Sequence, residues 1–234
     1  MSAFLEIPQL PYTETVWENG GPVEGECVEF RLIYAGNQLV ADGDATQKHV
    51  IRKALHPQLK HLWASNFLLS DMARRYGLVA NRNTSGMSED EIARMMRETF
   101  FAKVGNLYSR GNFHFVPLIE QSLCLRVSLD ILFLRRDQHP LIKAGGDIDN
   151  RLKTLFDAFR VPETTAGLGG VPEDGEDPFF VLMQDDCLIS EVRVNTDNLL
   201  LLPQNTAPSA KDCFLVIDVK LRPTQKTTKS WAFE

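Results

Sequence analysis

Residues 122–160 constrain the chain most. Residues 122–134 (SLCLRVSLDILFL) place polar groups at Ser122, Arg126, Ser128 and Asp130 with aliphatic residues between them. That alternation predicts a long, well-buried strand. A loop over 135–146 leads to residues 147–160 (DIDNRLKTLFDAFR), where Leu152, Leu155, Phe156 and Phe159 recur at i, i+3, i+4 and i+7. This is one apolar face of a helix. A loop over 161–178 rich in Gly, Pro and acids follows, and two further strands are predicted over 187–195 and 214–222.

The N-terminal half reads less sharply. Residues 1–27 hold Pro8, Pro11, Pro22 and the Gly20-Gly21 pair and are expected to form an irregular arm. Residues 28–34 (VEFRLIY) alternate as a strand that ends at Gly36. Between Thr46 and Trp63 the apolar positions make a helical stripe that Pro57 is expected to kink or divide. Ser88-Glu-Asp-Glu91 is a capping box and predicts a helix to about Val104. With the polar stretch 80–87 read as a loop, residues 64–112 are expected to be a helical insertion. The element order predicts an α+β fold, a mixed sheet with flanking helices, in a single domain over 1–234.

Composition sets the outer limits. No apolar run approaches the roughly 18 residues needed to span a bilayer, so no membrane association is expected. The N-terminus has neither a basic start nor a long apolar stretch, so no signal peptide is expected. Cys27, Cys124, Cys187 and Cys213 are far apart, which excludes the usual zinc frameworks and suggests thiols in a reducing, cytoplasmic setting. The net charge of −6 is unevenly spread: residues 161–191 carry eight acidic groups and no Lys or Arg, so the other 203 residues carry +2. DNA stays open as a partner, without a basic footprint to argue from.

The chemistry concentrates at 147–157. Asp149, Lys153 and Asp157 are four apart and line up along the helix, with Asp147 just before them. Two carboxylates two residues apart at a helix entrance can aim oxygens at one point, and open sites of hard oxygens suit Mg²⁺. Asp185-Asp186 precede an amphipathic strand that also carries Glu191. Plainer roles exist for each: acids at a helix start serve as caps or dipole partners. The 149–153–157 ladder can be a solvated one, worth a few tenths of a kcal/mol per pair, and Asp185-Asp186 can simply end an acidic loop. The order of strand, D-x-D-N-x-x-K, helix, D-D and strand favours the chemical reading.

At these residues the chain resembles a family. Residues 146–153 (GDIDNRLK), continuing to Phe156-Asp157-Ala158, look like the signature of RusA-type Holliday junction resolvases, and residues 185–194 (DDCLISEVRV) are similar to that family's later strand block. The resemblance covers roughly residues 120–222. It implies a RusA-like fold, a homodimer, and a Mg²⁺-dependent endonuclease (Mn²⁺ also accepting oxygen ligands) that nicks branched DNA symmetrically in recombination and repair. It puts Asp147, Asp149, Asp186 and Lys153 in the active site, the three aspartates on the metal. Asp157, Asn150 and Asp185 would stand behind them, Asp157 as a partner of Lys153. Arg135, Arg136, Lys143 and Arg151 would contact DNA. The chain departs from the family in three ways: only Arg135-Arg136 remain of an arginine run, the family's N-terminal strand motif is not recognisable, and the acidic loop would repel DNA unless it folds away.

Other features carry less. His49, His56 and His61 lack metal-like spacing and read as core or surface histidines. Residues 167–170 (GLGG) lack the Lys-Ser/Thr of a phosphate loop and read as flexible. Asp42-Gly-Asp44 is a turn, Cys187 a small core residue, and Phe113, Phe115 and Trp231 are core aromatics by default. Two rival functions remain: a non-catalytic DNA- or protein-binding module on the same fold, and a metal-dependent phosphohydrolase acting on small substrates.

Overall fold

A computed structural model describes residues 28–37, 39–77, 86–136, 148–200, 209 and 211–224. The elements are β1 (Glu29–Asn37), α1 (Ala45–Ser65), α2 (Phe67–Tyr76), α3 (Glu89–Leu107), β2 (Ser109–Arg110), β3 (Phe113–Ile119), β4 (Leu125–Arg135), α4 (Ile148–Phe159), β5 (Phe179–Met183), β6 (Ile189–Asn198) and β7 (Asp212–Pro223). One sheet runs β1-β7-β4-β6, and a smaller one runs β2-β3-β5. In the larger sheet β7 is antiparallel to β1 and β4, while β6 lies parallel to β4. The chain is thus α+β with mixed sheets. No helix among the described residues is long and apolar enough to cross a membrane.

The alternation in β4 survives folding. Leu125, Val127, Leu129, Ile131 and Phe133 are all buried, as are Cys213, Leu215, Ile217, Val219 and Leu221 of β7. These side chains share one core with Ile51, Leu55, Leu59 and Trp63 of α1 and Leu155, Ala158 and Phe159 of α4. Burying a side chain of this size contributes about 1.5–3 kcal/mol. Tertiary packing rather than helix propensity therefore holds the layers together. Phe100 and Phe101 of α3 pack on Trp63, with ring centroids 5.7 and 5.4 Å away. Helices do occupy the 64–112 interval, and α3 shares the main core.

Pro57 does not divide or end α1: the helix runs unbroken from Ala45 to Ser65. Its start is a capping box, Asp44 accepting from the Gln47 N–H (2.8 Å) and Gln47 from the Asp44 N–H (2.9 Å). Buried Ile51 and Leu55 before the proline and Leu59 and Trp63 after it anchor both halves. Just past the proline, the Gln58 amide donates to the carbonyls of Ile33 (2.7 Å) and Ala54 (3.0 Å) and accepts from the Ile33 N–H (2.9 Å). That side chain substitutes for a neighbouring strand along the free edge of β1. The Ser88 capping box of α3 is present as predicted.

The smaller sheet was not legible. β3 (FHFVPLI) contains a proline, and β5 (FFVLM) is a short continuous apolar run with every residue buried. Its parallel pairing with β3 needs no alternation, because both faces are covered. Phe113, Phe115 and Phe179 form a second core with Val161, Val181 and Leu168.

Among the described residues, helices cover one face of the larger sheet and none packs on the other. On that second face Glu29, Lys220, Ser128 and Glu191 lie across one rung, and Arg31, Asp218, Asp130 and Arg193 across the next. Charges pair within the face: Lys220 with Glu29 (3.0 Å), Arg31 with Asp218, Arg193 with Asp130 (3.5 Å) and Arg222 with Glu191 (3.8 Å). The following two rungs are mostly apolar: Ile33, Val216 and Leu132 with Asn195, then Ala35, Phe214 and Leu134 with Asp197.

Candidate functional site

The site begins at α4. Asp149 stands exposed in the helix's first turn, where the helix dipole favours a carboxylate, and Lys153 is exposed one turn further on. Asp147 and Lys143 lie outside the described residues. Asn150 is half-buried, and its carbonyl accepts from the Thr154 hydroxyl (3.3 Å). Thr154 in turn accepts the Gly43 N–H (2.9 Å), docking the turn before α1 onto α4.

Asp157, next in the ladder, faces elsewhere than the sequence indicates. Its carboxylate pairs with Lys48 of α1 (2.8 Å) and Arg160 (2.9 Å), while its carbonyl accepts from Arg52 (3.2 Å). Lys153 is not its partner, because Asp157 turns toward the α1 interface while Lys153 points to solvent. Burial raises the Asp157 carboxyl, but the hydrogen bonds and charges of Lys48 and Arg160 outweigh it and hold the group below its ordinary value. Arg52 is buried, also reaches the Leu168 carbonyl (3.4 Å), and is pulled down to about 10 by that burial. The sequence reading missed Lys48, Arg52 and Arg160. Only the i, i+3 spacing of Asp157 and Arg160 hinted at any of them.

Asp186 is exposed and opens a 3-10 turn, residues 186–188, that packs against α4 and leads into β6. Asp185 caps this turn by accepting the Cys187 N–H (2.9 Å), and hydrogen bonds from Cys187 hold its carboxyl below the usual range. Cys187 itself is exposed rather than buried, since Leu188 takes the core position in the turn, and the Asp185 carboxylate pushes its thiol up. Both aspartates lie within electrostatic reach of Arg160. Arg160 is eleven residues beyond Asp149, about 16 Å along a helix axis. Among the described residues no hydrogen bond or ion pair joins Asp149, Lys153 and Asp186 to one another, and no three His, Cys, Asp or Glu side chains gather as a metal site. The matched set reaches three carboxylates only with Asp147. The exposed donors that are described are carboxylate oxygens, which fit a hard divalent cation.

The basic residues divide. Arg151 is 6% exposed, so its position on the inner side of α4 removes it from a DNA-facing surface. Arg136 donates to the Leu200 carbonyl, and its N–H donates to the Asp212 carbonyl (3.3 Å), which ties it to the sheet end. Arg135 is half-buried at the end of β4, its carbonyl accepting the Leu199 N–H (2.9 Å).

The acidic loop folds back onto α1. Lys53 pairs with Glu173 (2.5 Å) and Glu176 (3.5 Å), Lys60 donates to the Gly175 carbonyl (2.9 Å), and Asp177 pairs with His114 (3.0 Å). Gly169 adopts φ +73°, and a Cβ there would lie 2.0 Å from the Ala45 carbonyl oxygen. The glycine stretch is a close-packed clip rather than a flexible loop. His49 and His56 are buried in the interface so made, and His56 accepts the Phe180 N–H at Nδ1 (2.9 Å). His61 is exposed.

No family model, curated protein or solved structure matches the chain.

Proposed function

We propose that the protein is a metal-dependent endodeoxyribonuclease acting on branched DNA, in the manner of the RusA-type resolvases that residues 146–158 and 185–194 resemble, two copies cutting opposite strands. One observation carries the reading: Asp149 and Lys153 stand exposed one turn apart on α4, and Asp186 is exposed on the turn packed against that helix. The paired acidic loop supports it, because acids bound to Lys53 repel a phosphate backbone less than free ones. The reducing, cytoplasmic setting that the four dispersed cysteines suggest is compatible with such a substrate.

In this mechanism Asp147, Asp149 and Asp186 would hold Mg²⁺, or Mn²⁺. When bound, that ion supplies an acidified water and charge neutralisation at the phosphate. Lys153 sets a fixed positive charge where oxyanion charge develops. Asp185, by capping the 186–188 turn, fixes the direction in which Asp186 is presented. Asp157 acts at a distance, joining α4 to α1 through Lys48. Arg135 and Arg136 lie at the end of β4, ahead of α4, and stay as candidates for the DNA backbone.

The test is cleavage of an end-labelled four-way junction, with linear duplex as competitor and Mg²⁺ added or withheld. Paired, metal-dependent nicks at symmetric positions are expected. Tight junction binding without cleavage would move the protein to a binding module. Hydrolysis of small phosphodiesters, indifferent to junctions and to salt, would make it a phosphohydrolase.

A further inference from the structure

Helix α1 carries cations and no anions: residues 45–65 include Lys48, Arg52, Lys53, Lys60 and three histidines, and neither Asp nor Glu. His49, Lys53, His56 and Lys60 fall at i, i+4, i+7 and i+11, so they share one face. The tip of the acidic loop, residues 173–177 (EDGED), sits on that face. Glu173 and Glu176 pair with Lys53, and the Gly175 carbonyl accepts from Lys60 (2.9 Å) and from His56 Nε2 (3.4 Å). The tip is a closed turn in itself. The Glu173 carbonyl accepts the Glu176 N–H (3.0 Å), and the Glu176 carboxylate accepts the Glu173 N–H (2.8 Å). Base and tip are held differently. Gly169 packs against the Ala45 carbonyl, and buried Arg52 donates to the Leu168 carbonyl, which fixes the base. Glu173 is 67% exposed and Lys53 31% exposed, so their pair is weak and salt-screened. With its own bonds intact, the turn can leave α1 as a unit while the base stays.

We propose that the α1 face around Lys53, His56 and Lys60 binds the phosphate backbone of a nucleic acid, and that the 173–177 turn is a built-in competitor for it. Charge complementarity names the occupant, since what the closed chain lays on this face is a row of anionic and carbonyl oxygens. An acidic peptide offers only the carboxylates that the tethered turn already supplies at high effective concentration. A phosphate backbone carries a charge on every unit and releases counterions when Lys replaces them, so it displaces the turn. The surface adjoins the candidate site: Lys48 of α1 pairs with Asp157 of α4, the helix that bears Asp149 and Lys153. The closed turn therefore limits how DNA reaches that site. The inference rests on the proposed function only for the nucleic acid being DNA; the face and its competitor are read from α1 and the loop.

Fluorescence anisotropy of a labelled linear duplex, titrated with the full chain at several NaCl concentrations and without divalent metal, tests this apart from cleavage. Glu173→Gln with Glu176→Gln is expected to tighten binding roughly tenfold. It should also steepen the slope of log K against log[salt] by about 1.8, the value for two further phosphate contacts. Adding Lys53→Gln and Lys60→Gln to that variant should remove both gains. The same lysine changes in the wild type should cost less than about threefold, because the closed turn already occupies those side chains. Melting curves report whether each variant is folded. Should the buried Glu176 not tolerate Gln, Glu173→Gln with Asp174→Asn, both exposed, repeats the test. A neutralised turn that binds DNA no more tightly, or a gain that survives loss of both lysines, overturns the surface. Poly-glutamate that displaces the duplex at equal charge concentration assigns the face to an acidic protein and overturns it too. Junction cleavage by the wild type alongside either result leaves the nuclease reading standing. A lysine-dependent gain in a protein that cuts no junction keeps the surface and overturns the nuclease reading alone.

Discussion

Lys48 Nζ lies 2.8 Å from the Asp157 carboxylate, and this pair ties α1 to α4 across the part of the molecule where the candidate site is built. Arg160 shares the same carboxylate from the other side. Asp157 is only 12% exposed, so its removal strands two cations in a partly dry interface. Asp157→Asn is expected to destabilise the fold by about 3 kcal/mol, several degrees in Tm, as broken buried pairs do. A melting temperature within a degree of wild type would show that the pair is solvent-screened.

The same carboxyl sets a stability limit at low pH. Its folded value is depressed, so its contribution is complete above the unfolded carboxylate range and disappears as pH falls through the folded value. Asp157→Asn should therefore flatten the acid limb of a stability–pH curve below about pH 4. Equal slopes in wild type and variant would remove Asp157 from that limb.

His49 and His56 act at milder pH. Burial is the largest cause lowering each from the ordinary histidine value. The unfolded chain then takes up protons that the folded one refuses, and stability is lost as pH drops from about 6.5 toward the folded values. Chemical denaturation at pH 7.5, 6.5 and 5.5 should show this loss, and His56→Asn should reduce the pH dependence although the variant is weaker throughout. A wild-type stability unchanged over this range would show that protonation costs the folded state nothing.

Gly169 and Gly86 share positive φ but not surroundings. An alanine Cβ at 169 would lie 2.0 Å from the Ala45 carbonyl oxygen, whereas at 86 it would meet nothing within 4 Å. Gly86→Ala should cost about 1–2 kcal/mol from the backbone alone. Gly169→Ala should cost clearly more, because the loop must leave α1. Equal melting temperatures would mean the clip is not held closed in solution.

At the proposed site, Asp149→Asn should abolish metal-dependent junction cleavage. The loss should exceed the 10- to 100-fold range typical of removing a group that only supports a metal ligand, at a stability cost of no more than about 1 kcal/mol for a first-turn carboxylate. Persistent cleavage by the folded variant would sink the metal-ligand assignment.

The sequence by itself determined the elements whose pattern is local. The alternation in β4, the apolar face of α4 and the Ser88 capping box all depend on residues a few positions apart, and each is where the pattern puts it. Asp149 and Lys153 were readable for the same reason, as a one-turn spacing on a single helix. Tertiary structure decided the rest. Pro57 sits inside an intact helix because core contacts on both sides outweigh one missing hydrogen bond. β5 was invisible because a strand buried on both faces has no alternation to display. Asp157 turned to Lys48, Arg151 went inside, and the acidic loop closed on Lys53, since opposite charges far apart in sequence meet only once the layers pack. Local periodicity is written in the chain, whereas the partner of a charged side chain is chosen by whichever surface folding brings against it.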